Sequence, residues 1–245
     1  MTGIRSVFRR EFASYFATPL AYVFIVIYLV LSGIFTFYVG GFYERGRADL
    51  EPFFIYQPWL FLFLVPAVAM RLWAEERKTG SIELLLTLPV TIGEAVLGKF
   101  LAAWAFIGIA LALTFPIWIT VNYLGDPDNG VIAASYLGAW LMAGGYLAIG
   151  SAMSAATRNQ VVAFVLAVTA CFLFTVSGLP MVLAFFEGWA PDTLVSLIAS
   201  FSFLSHFNTI AQGVIGLADL LYFLSVIALW LFLGRVILEA KKEAN

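Results

Sequence analysis

The densest group of charged side chains in this sequence lies in residues 71–99, between two long apolar segments. The first part of this stretch, residues 71–78, reads RLWAEERK and places two carboxylates among three basic groups. Such groups can make charge-assisted hydrogen bonds to a partner molecule, and these bonds are about twice as strong as neutral ones. The chemistry predicted for this stretch is therefore recognition of a partner.

Local signals divide the same stretch into a helix, a short helix and a third helix. Residues 79–81 (TGS) end the first helix and offer capping hydroxyls for a new one. Pro89 lacks an amide N–H and pushes the residue before it out of the helical region, so the short helix ends there. Thr91 and Glu94 have the spacing of a capping box, which predicts the start of the third helix.

The short helix, at residues 81–88, is apolar except for its capping serine, one threonine and one carboxylate, Glu83. A helix of this kind lies along the membrane surface or docks on another protein. The alternative is an ordinary loop next to the membrane, in which the charges are solvated and the leucines touch lipid. The residue pattern by itself leaves both interpretations open.

Composition identifies the class of protein. Of the 245 residues, 62% are hydrophobic and 11% are charged, whereas soluble globular proteins are typically about 45 to 50% apolar. This chain has too few polar residues to cover a soluble globule, so it is predicted to be an integral membrane protein surrounded by lipid. A net charge of −2 argues against a nucleic-acid partner, and the single cysteine, Cys171, allows no intrachain disulfide.

The apolar segments predict an all-α integral membrane fold in one domain, residues 1–245. Residues 4–17 carry apolar side chains at helical spacing beside arginines, which is typical of an interfacial amphipathic helix. Residues 194–215 combine a short apolar segment with many polar residues, which predicts a re-entrant helical hairpin. Six spans of about 20 residues, the length that crosses a bilayer, are predicted at residues 20–39, 53–73, 95–121, 133–156, 161–186 and 219–238.

Three features inside these spans concern helix packing and geometry. Small residues recur at every fourth position of the fourth span and allow close approach of a helix of this chain or of a second chain; they are Gly144, Ala148, Ala152 and Ala156. Lys99, near the start of the third span, is predicted to extend its ammonium group to the membrane surface. Gly178 and Pro180 predict a kink in the fifth span.

The distribution of basic residues predicts the orientation. Of the 13 Lys and Arg residues, only Arg45 and Arg47 lie in segments that six spans place opposite the amino terminus. Basic residues collect on the cytoplasmic side of membrane proteins. Both termini and residues 71–99 are therefore predicted to be cytoplasmic, and residues 45–51, 126–130 and 187–216 to face outward.

The sequence predicts no catalytic, metal-binding or cofactor-binding residues. It contains no phosphate-binding loop, no dinucleotide glycine fingerprint and no spaced pairs of His or Cys. It also shows neither ionisable groups near the middle of the spans nor a repeat between its halves, which secondary transporters usually have. These absences favour a membrane subunit whose movements are powered by a separate protein. The alternatives are a polytopic membrane enzyme and a structural or assembly protein without transport activity.

Two short motifs resemble those of a known family. Residues 70–89 (MRLWAEERKTGSIELLLTLP) and 97–100 (LGKF) resemble the first cytoplasmic loop of ABC-2 type permeases, the membrane subunits of one class of ATP-binding-cassette transporters. Ser81 stands where threonine is more usual. Residues 124–138 and 157–164 resemble the gliding-motility-associated branch of that family. The similarity covers about residues 5–186.

The resemblance implies a fold like that of type V exporters, with six membrane helices, an interfacial helix, a cytoplasmic coupling helix at residues 81–88 and an outer re-entrant hairpin. It implies a bacterial inner-membrane protein that is not itself an enzyme and that pairs with an identical or paralogous permease. A separate ATPase subunit would bind ATP and Mg²⁺ and drive export, and an extracytoplasmic auxiliary subunit could join the complex. The implied ATPase-docking residues are Glu75, Glu76, Arg77, Gly80, Ser81, Ile82, Glu83, Leu85 and Leu86.

Overall fold

The computed structural model of the protein describes residues 2–80, 90–188 and 190–243, and within these residues the regular structure is helical without strands. The predicted coupling helix at residues 81–88 lies outside the described residues, as do five predicted docking residues, Ser81, Ile82, Glu83, Leu85 and Leu86. The described helices are α1 (Thr2–Phe16), α2 (Pro19–Ile34, continued by a π-helical turn at Phe35–Val39), α3 (Glu51–Phe54), α4 (Gln57–Ala69), α5 (Arg71–Thr79), α6 (Ile92–Ala112), α7 (Phe115–Leu124), α8 (Asn129–Ala156), α9 (Gln160–Val176), α10 (Pro180–Glu187), α11 (Asp192–Ser200), α12 (Phe203–Ala211) and α13 (Leu217–Glu243).

Several of these helices are long and apolar enough to cross a membrane, so the predicted all-helical membrane class is confirmed. The pairs α9 with α10 and α11 with α12 reach the required length only together, and they are bent by 82° and 63°. The described chain therefore has five such helical stretches, or up to seven if each bent pair is one span, and the predicted number of six stays a prediction. The five are Pro19–Val39, Glu51–Thr79, Ile92–Leu124, Asn129–Ala156 and Leu217–Lys242.

The bend between α9 and α10 lies at the predicted kink. Helix α9 ends at Val176, and α10 begins at Pro180 after Leu179, which is extended with φ −70° and ψ 138°. Proline forces the residue before it out of the helical region, so the two segments cannot join as one helix. Residues 161–186 consequently form a helix and a sharply turned second segment instead of one straight span.

Helix α8 is the centre of the bundle. Buried residues make up 78% of its apolar segment, against 28 to 61% in the other four membrane-length stretches. The stripe of small residues packs inside the chain: a Cβ atom on Gly144 would lie 2.9 Å from side-chain atoms of both Ile227 and Trp104. Farther along, Gly234 of α13 lies against Ala152. The stripe is thus used by α6 and α13, and a second chain is not needed to cover it.

Helix α1 packs along α6. A Cβ atom on Gly98 would lie 2.8 Å from Cβ of Val7 and 3.1 Å from the carbonyl oxygen of Ile4, so only glycine permits this close approach. Nearer the carboxyl end of α1, the ring of Tyr15 stacks on Phe106 with their centroids 4.8 Å apart. One face of the amphipathic helix is therefore covered by the protein itself.

A polar contact joins the bent pair of helices α11 and α12 to the last long helix. Nδ1 of His206 lies 2.6 Å from Oδ1 of Asp219, and Nε2 lies 3.0 Å from the carbonyl oxygen of Ser200. The ring also stacks on Tyr222, with the two centroids 3.9 Å apart. Because a carbonyl oxygen can only accept, Nε2 carries a proton in this arrangement. These contacts hold the bent pair of helices against the start of α13.

Candidate functional site

Helix α5 carries the first three predicted docking residues, Glu75, Glu76 and Arg77, and the fourth, Gly80, follows its end. It ends at Thr79, and Gly80 follows in the left-handed conformation with φ 75°, which glycine adopts without steric cost. Glu75 lies 3.8 Å from Arg71 one turn earlier, and about half of its side chain is exposed. Of the three charged docking residues on α5, Glu75 is thus the most accessible to a partner.

An ion cluster around the buried Lys99 connects α5 with α1 and α6. Nζ of Lys99 lies 2.7 Å from Oε1 of Glu76 and 3.2 Å from Oε1 of Glu11. Arg10 completes the cluster, with its guanidinium 2.6 Å from Glu11 and 3.9 Å from Glu76. The Lys99 ammonium also lies 5.2 Å from the ring centroid of Trp73, close enough for a cation–π interaction. Two cations and two carboxylates therefore meet where the three helices converge.

The burial of Lys99 corrects one prediction made from the sequence. Only 3% of its side chain is exposed, so the ammonium does not extend to the surface of the protein but lies against two carboxylates. Burial acts to raise the pKa of Glu11, and the charges of Lys99 and Arg10 outweigh it, so the pKa of this carboxyl is lowered from its ordinary value. The carboxylate of Glu11 is consequently ionised at neutral pH.

Hydrogen bonds from α8 hold the beginning of α5. The backbone N–H groups of Trp73 and Ala74 donate to Oγ of Ser154, at 3.1 and 3.0 Å. These amides belong to the first turn of α5, where no helical acceptor exists and the N-cap residue, Met70, provides no side-chain bond. Ser154 in turn donates to the carbonyl oxygen of Met70 at 2.9 Å. A serine from another helix thus serves as the cap of α5.

Arg77 binds the carboxyl-terminal end of α8. Its guanidinium donates to the carbonyl oxygen of Ala155 at 2.6 Å, and Lys241 of α13 donates to the next carbonyl, that of Ala156. The last carbonyls of a helix lack helical donors and carry partial negative charge, so basic groups stabilise them. Arg77 is therefore engaged within the chain, as is Glu76, and their predicted contact with a partner stays a prediction.

Removing the hydroxyl of Ser154 should destabilise the protein. In Ser154→Ala the buried amides of Trp73 and Ala74 lose their acceptor, and a buried unsatisfied polar group costs about 1 to 3 kcal/mol. We expect a lower midpoint of thermal unfolding for the purified protein in detergent. Ser196→Ala is the matched control, because Ser196 is exposed and bonds only within its own helix turn. Equal midpoints for both variants would contradict the capping role.

The sequence contains a signal for this site. A lysine inside an apolar span needs a counter-ion, and Glu11 and Glu76 lie in the two charged segments that the sequence predicts on the same side of the membrane as the start of the third span. Gly98, next to Lys99, marks the close approach of α1 that brings Glu11 to the ammonium. No local pattern singled out Ser154, because its acceptors and donors come from a helix about 80 residues away in sequence.

A comparison with models of known protein families finds a match in the region that contains these helices. The model of the family described as ABC-2 family transporter protein matches residues 59–242, or 184 of the 245 residues. The match includes Glu76, Lys99 and Ser154, whereas Glu11 and Arg10 precede it. No curated protein matches the chain.

Proposed function

The chain belongs to the ABC-2 family of transporter proteins, and from this premise we propose that it is the membrane permease subunit through which a separate ATPase drives export of a substrate. The family match confirms the resemblance to ABC-2 permeases, though not to one branch of them, and it makes the chain a multi-pass membrane component of an ABC transporter. The observation that carries the coupling proposal is the buried cluster around Lys99, which ties α5 to α1 beside residues 81–88.

The contacts of α5 support a mechanical route from the ATPase to the membrane helices. An ATPase that binds residues 81–88 would pull on the carboxyl end of α5. That helix is attached to α1 and α6 by the ions around Lys99 and to α8 by Ser154 and Arg77. Displacement of α5 would therefore move the central helix and the interfacial helix with it, which is a hinge type of transition.

The chemistry of ATP hydrolysis belongs to the partner in this proposal. The ATPase subunit would bind ATP and Mg²⁺, and this chain would supply only the docking surface and the path. We further propose a second permease subunit, identical or paralogous, on the family resemblance alone, because α6 and α13 already cover the small-residue stripe and it offers no free face to a second chain. An extracytoplasmic auxiliary subunit and membership of the gliding-motility-associated branch are also proposed, on the sequence motifs alone.

We propose that both termini face the cytoplasm of a bacterial inner membrane, as the basic residues predict. In support, residues 49–51, 127–135 and 204–212 line one cavity, whereas the Lys99 cluster and Ser154 lie at the other end of α8. From Ser135 to Ser154 an α-helix rises about 28 Å, close to the thickness of a bilayer core. In a Cys171→Ala background, labelling of Asp126→Cys only from inside the cell would overturn this orientation.

Co-purification with an ATPase tests the proposed function. We expect an affinity-tagged chain, expressed in its native cells, to retain an ABC ATPase without membrane spans through purification in mild detergent and to change the rate of ATP hydrolysis by that ATPase. A tagged, unrelated membrane protein of similar size controls for nonspecific capture. Purification of the chain without any ATPase, under conditions in which both are well expressed, would contradict the proposal.

A further inference from the structure

A cavity of about 560 Å³ opens at the end of the protein opposite the Lys99 cluster. It lies between the loop that leads into α3, the beginning of α8 and helix α12, and Phe54, Trp59 and Phe207 contribute aromatic rings to its wall. Small-molecule sites are usually concave, largely apolar and about 300 to 1,000 Å³ in volume. The cavity thus has the size and the apolar wall of a ligand site.

The charged groups in the cavity wall favour a ligand that carries a positive charge. Its lining includes three carboxylates, Asp49, Glu51 and Asp128, and none of the described lining residues is Lys or Arg. The guanidinium of Arg45 pairs with Glu51, so the negative charge of the other two is not balanced within the lining. Carboxylates attract cations, and the faces of aromatic rings such as Trp59 do so as well. An anionic ligand is disfavoured.

Helix capping explains part of this arrangement but not the cavity. Oδ1 of Asp128 accepts from the N–H groups of Gly130 and Val131, and Oδ1 of Asp49 accepts from the N–H of Glu51. These bonds account for aspartate at the two positions. They do not account for an open, aromatic-walled space between segments that are about 80 residues apart along the chain.

We propose that this cavity binds an amphipathic organic cation, with its charged group near Asp49 and Asp128 and its apolar part on Trp59 and Phe54. A bare metal ion fits less well, because the described residues contain no group of three or more His, Cys, Asp or Glu side chains placed to hold one. A neutral lipid chain would use the apolar wall but would gain nothing from the carboxylates. The inference goes beyond the proposed function, which names no ligand, and does not depend on an ATPase.

Tetraphenylphosphonium tests the site, and tetraphenylborate is an anion of matched shape. We expect the purified full-length chain in zwitterionic lipid nanodiscs to bind the phosphonium saturably above the background of empty nanodiscs, and not the borate. Asp49→Asn with Asp128→Asn should weaken phosphonium binding about tenfold or more. Both asparagines keep the oxygen that accepts the capping bonds. Trp59→Leu should also weaken binding.

The control variant is Asp126→Asn, which removes one charge from the same end of the protein without touching the cavity. It should change the dissociation constant less than about twofold, as expected for a screened charge. Equal binding of both probe ions, or equal phosphonium binding by the wild type and the double variant, would overturn the proposal. Because the measurement uses no ATP and no partner, such a failure would leave the proposed transport function untouched.

Discussion

Replacing Lys99 with methionine should lower the free energy of unfolding by about 2 to 4 kcal/mol and should disrupt coupling to ATP hydrolysis. The variant keeps a similar side-chain length but removes the only cation that contacts both Glu76 and Glu11 at hydrogen-bonding distance in the described structure. Removing one member of a buried ion pair costs about 3 to 5 kcal/mol, and the partial exposure of the two carboxylates, 21% and 16%, reduces that value.

The loss of stability in Lys99→Met should depend on pH, which provides a second measurement. In the wild type the lowered pKa of Glu11 contributes stability above the ordinary value of 4.5, and this contribution is lost as the pH falls through the folded-state pKa. Without Lys99, Arg10 alone opposes the effect of burial, so the pKa of Glu11 should be higher than in the wild type. The ionised carboxylate is then less stabilised at neutral pH, and protonation removes part of the difference. The difference in unfolding midpoint between variant and wild type should therefore be smaller at about pH 5 than at about pH 8.

Two control variants separate the buried cluster from a general effect of charge. Arg235→Met removes a cation from an exposed pair with Glu239 one helical turn away, and such pairs contribute about 0.3 to 0.5 kcal/mol. Adding Glu76→Gln to Lys99→Met should recover part of the lost stability, because one of the two carboxylates that lost the Lys99 ammonium becomes neutral. If Lys99→Met and Arg235→Met change the midpoint equally, the cluster is not a link between α1 and α5.

Local sequence signals predicted the parts of this structure that depend on neighbouring residues. The capping box of α6 is confirmed: Oγ1 of Thr91 accepts from the N–H of Glu94 at 3.2 Å, and the Glu94 carboxylate accepts from the N–H of Thr91 at 3.0 Å. The helix break at Gly80 and the bend before Pro180 follow from the conformational limits of glycine and proline. Each of these features is determined within about four residues.

Contacts between distant helices could not be predicted in the same way. The composition identified an all-helical membrane protein, but the partner of the small-residue stripe is set by how α6 and α13 fit against α8. The direction of the Lys99 side chain depends on the position of α1, which precedes it by about 90 residues in sequence. The cavity at the opposite end likewise needs three separate segments. These contacts depend on the tertiary structure, whereas the sequence alone specifies only which residue types are present.

The second large effect, on the affinity for an ATPase, is expected from substitutions in the predicted coupling helix at residues 81–88. On the sequence pattern, Ile82, Leu85 and Leu86 form an apolar anchor beside the single carboxylate of Glu83. If this helix docks on an ATPase, Glu83→Lys replaces an attractive charge by a repulsive one at a partly desolvated contact. Truncating one member of a buried, hydrogen-bonded interface pair costs about 2 to 5 kcal/mol, which corresponds to about 30-fold or more in affinity.

Leu85→Asp tests the apolar part of the same contact, because a carboxylate cannot enter an apolar pocket without losing its hydration. Both variants should insert normally in the membrane, since residues 81–88 lie between the predicted spans. The measurement is retention of the ATPase on the tagged permease, together with ATP hydrolysis by the complex that remains. We expect loss of the ATPase, or a bound ATPase whose hydrolysis no longer responds to the permease.

Glu239→Lys is the matched control, because it reverses a carboxylate that is exposed on α13 and pairs only with Arg235 within the described helix. Its effect on ATPase retention should be small. Comparison with Lys99→Met distinguishes docking from transmission: Glu83→Lys should weaken binding of the ATPase, whereas Lys99→Met should leave binding intact and alter hydrolysis. If Glu83→Lys and Leu85→Asp both leave retention and hydrolysis unchanged, residues 81–88 form a solvated connector, and the ATPase must engage this chain elsewhere.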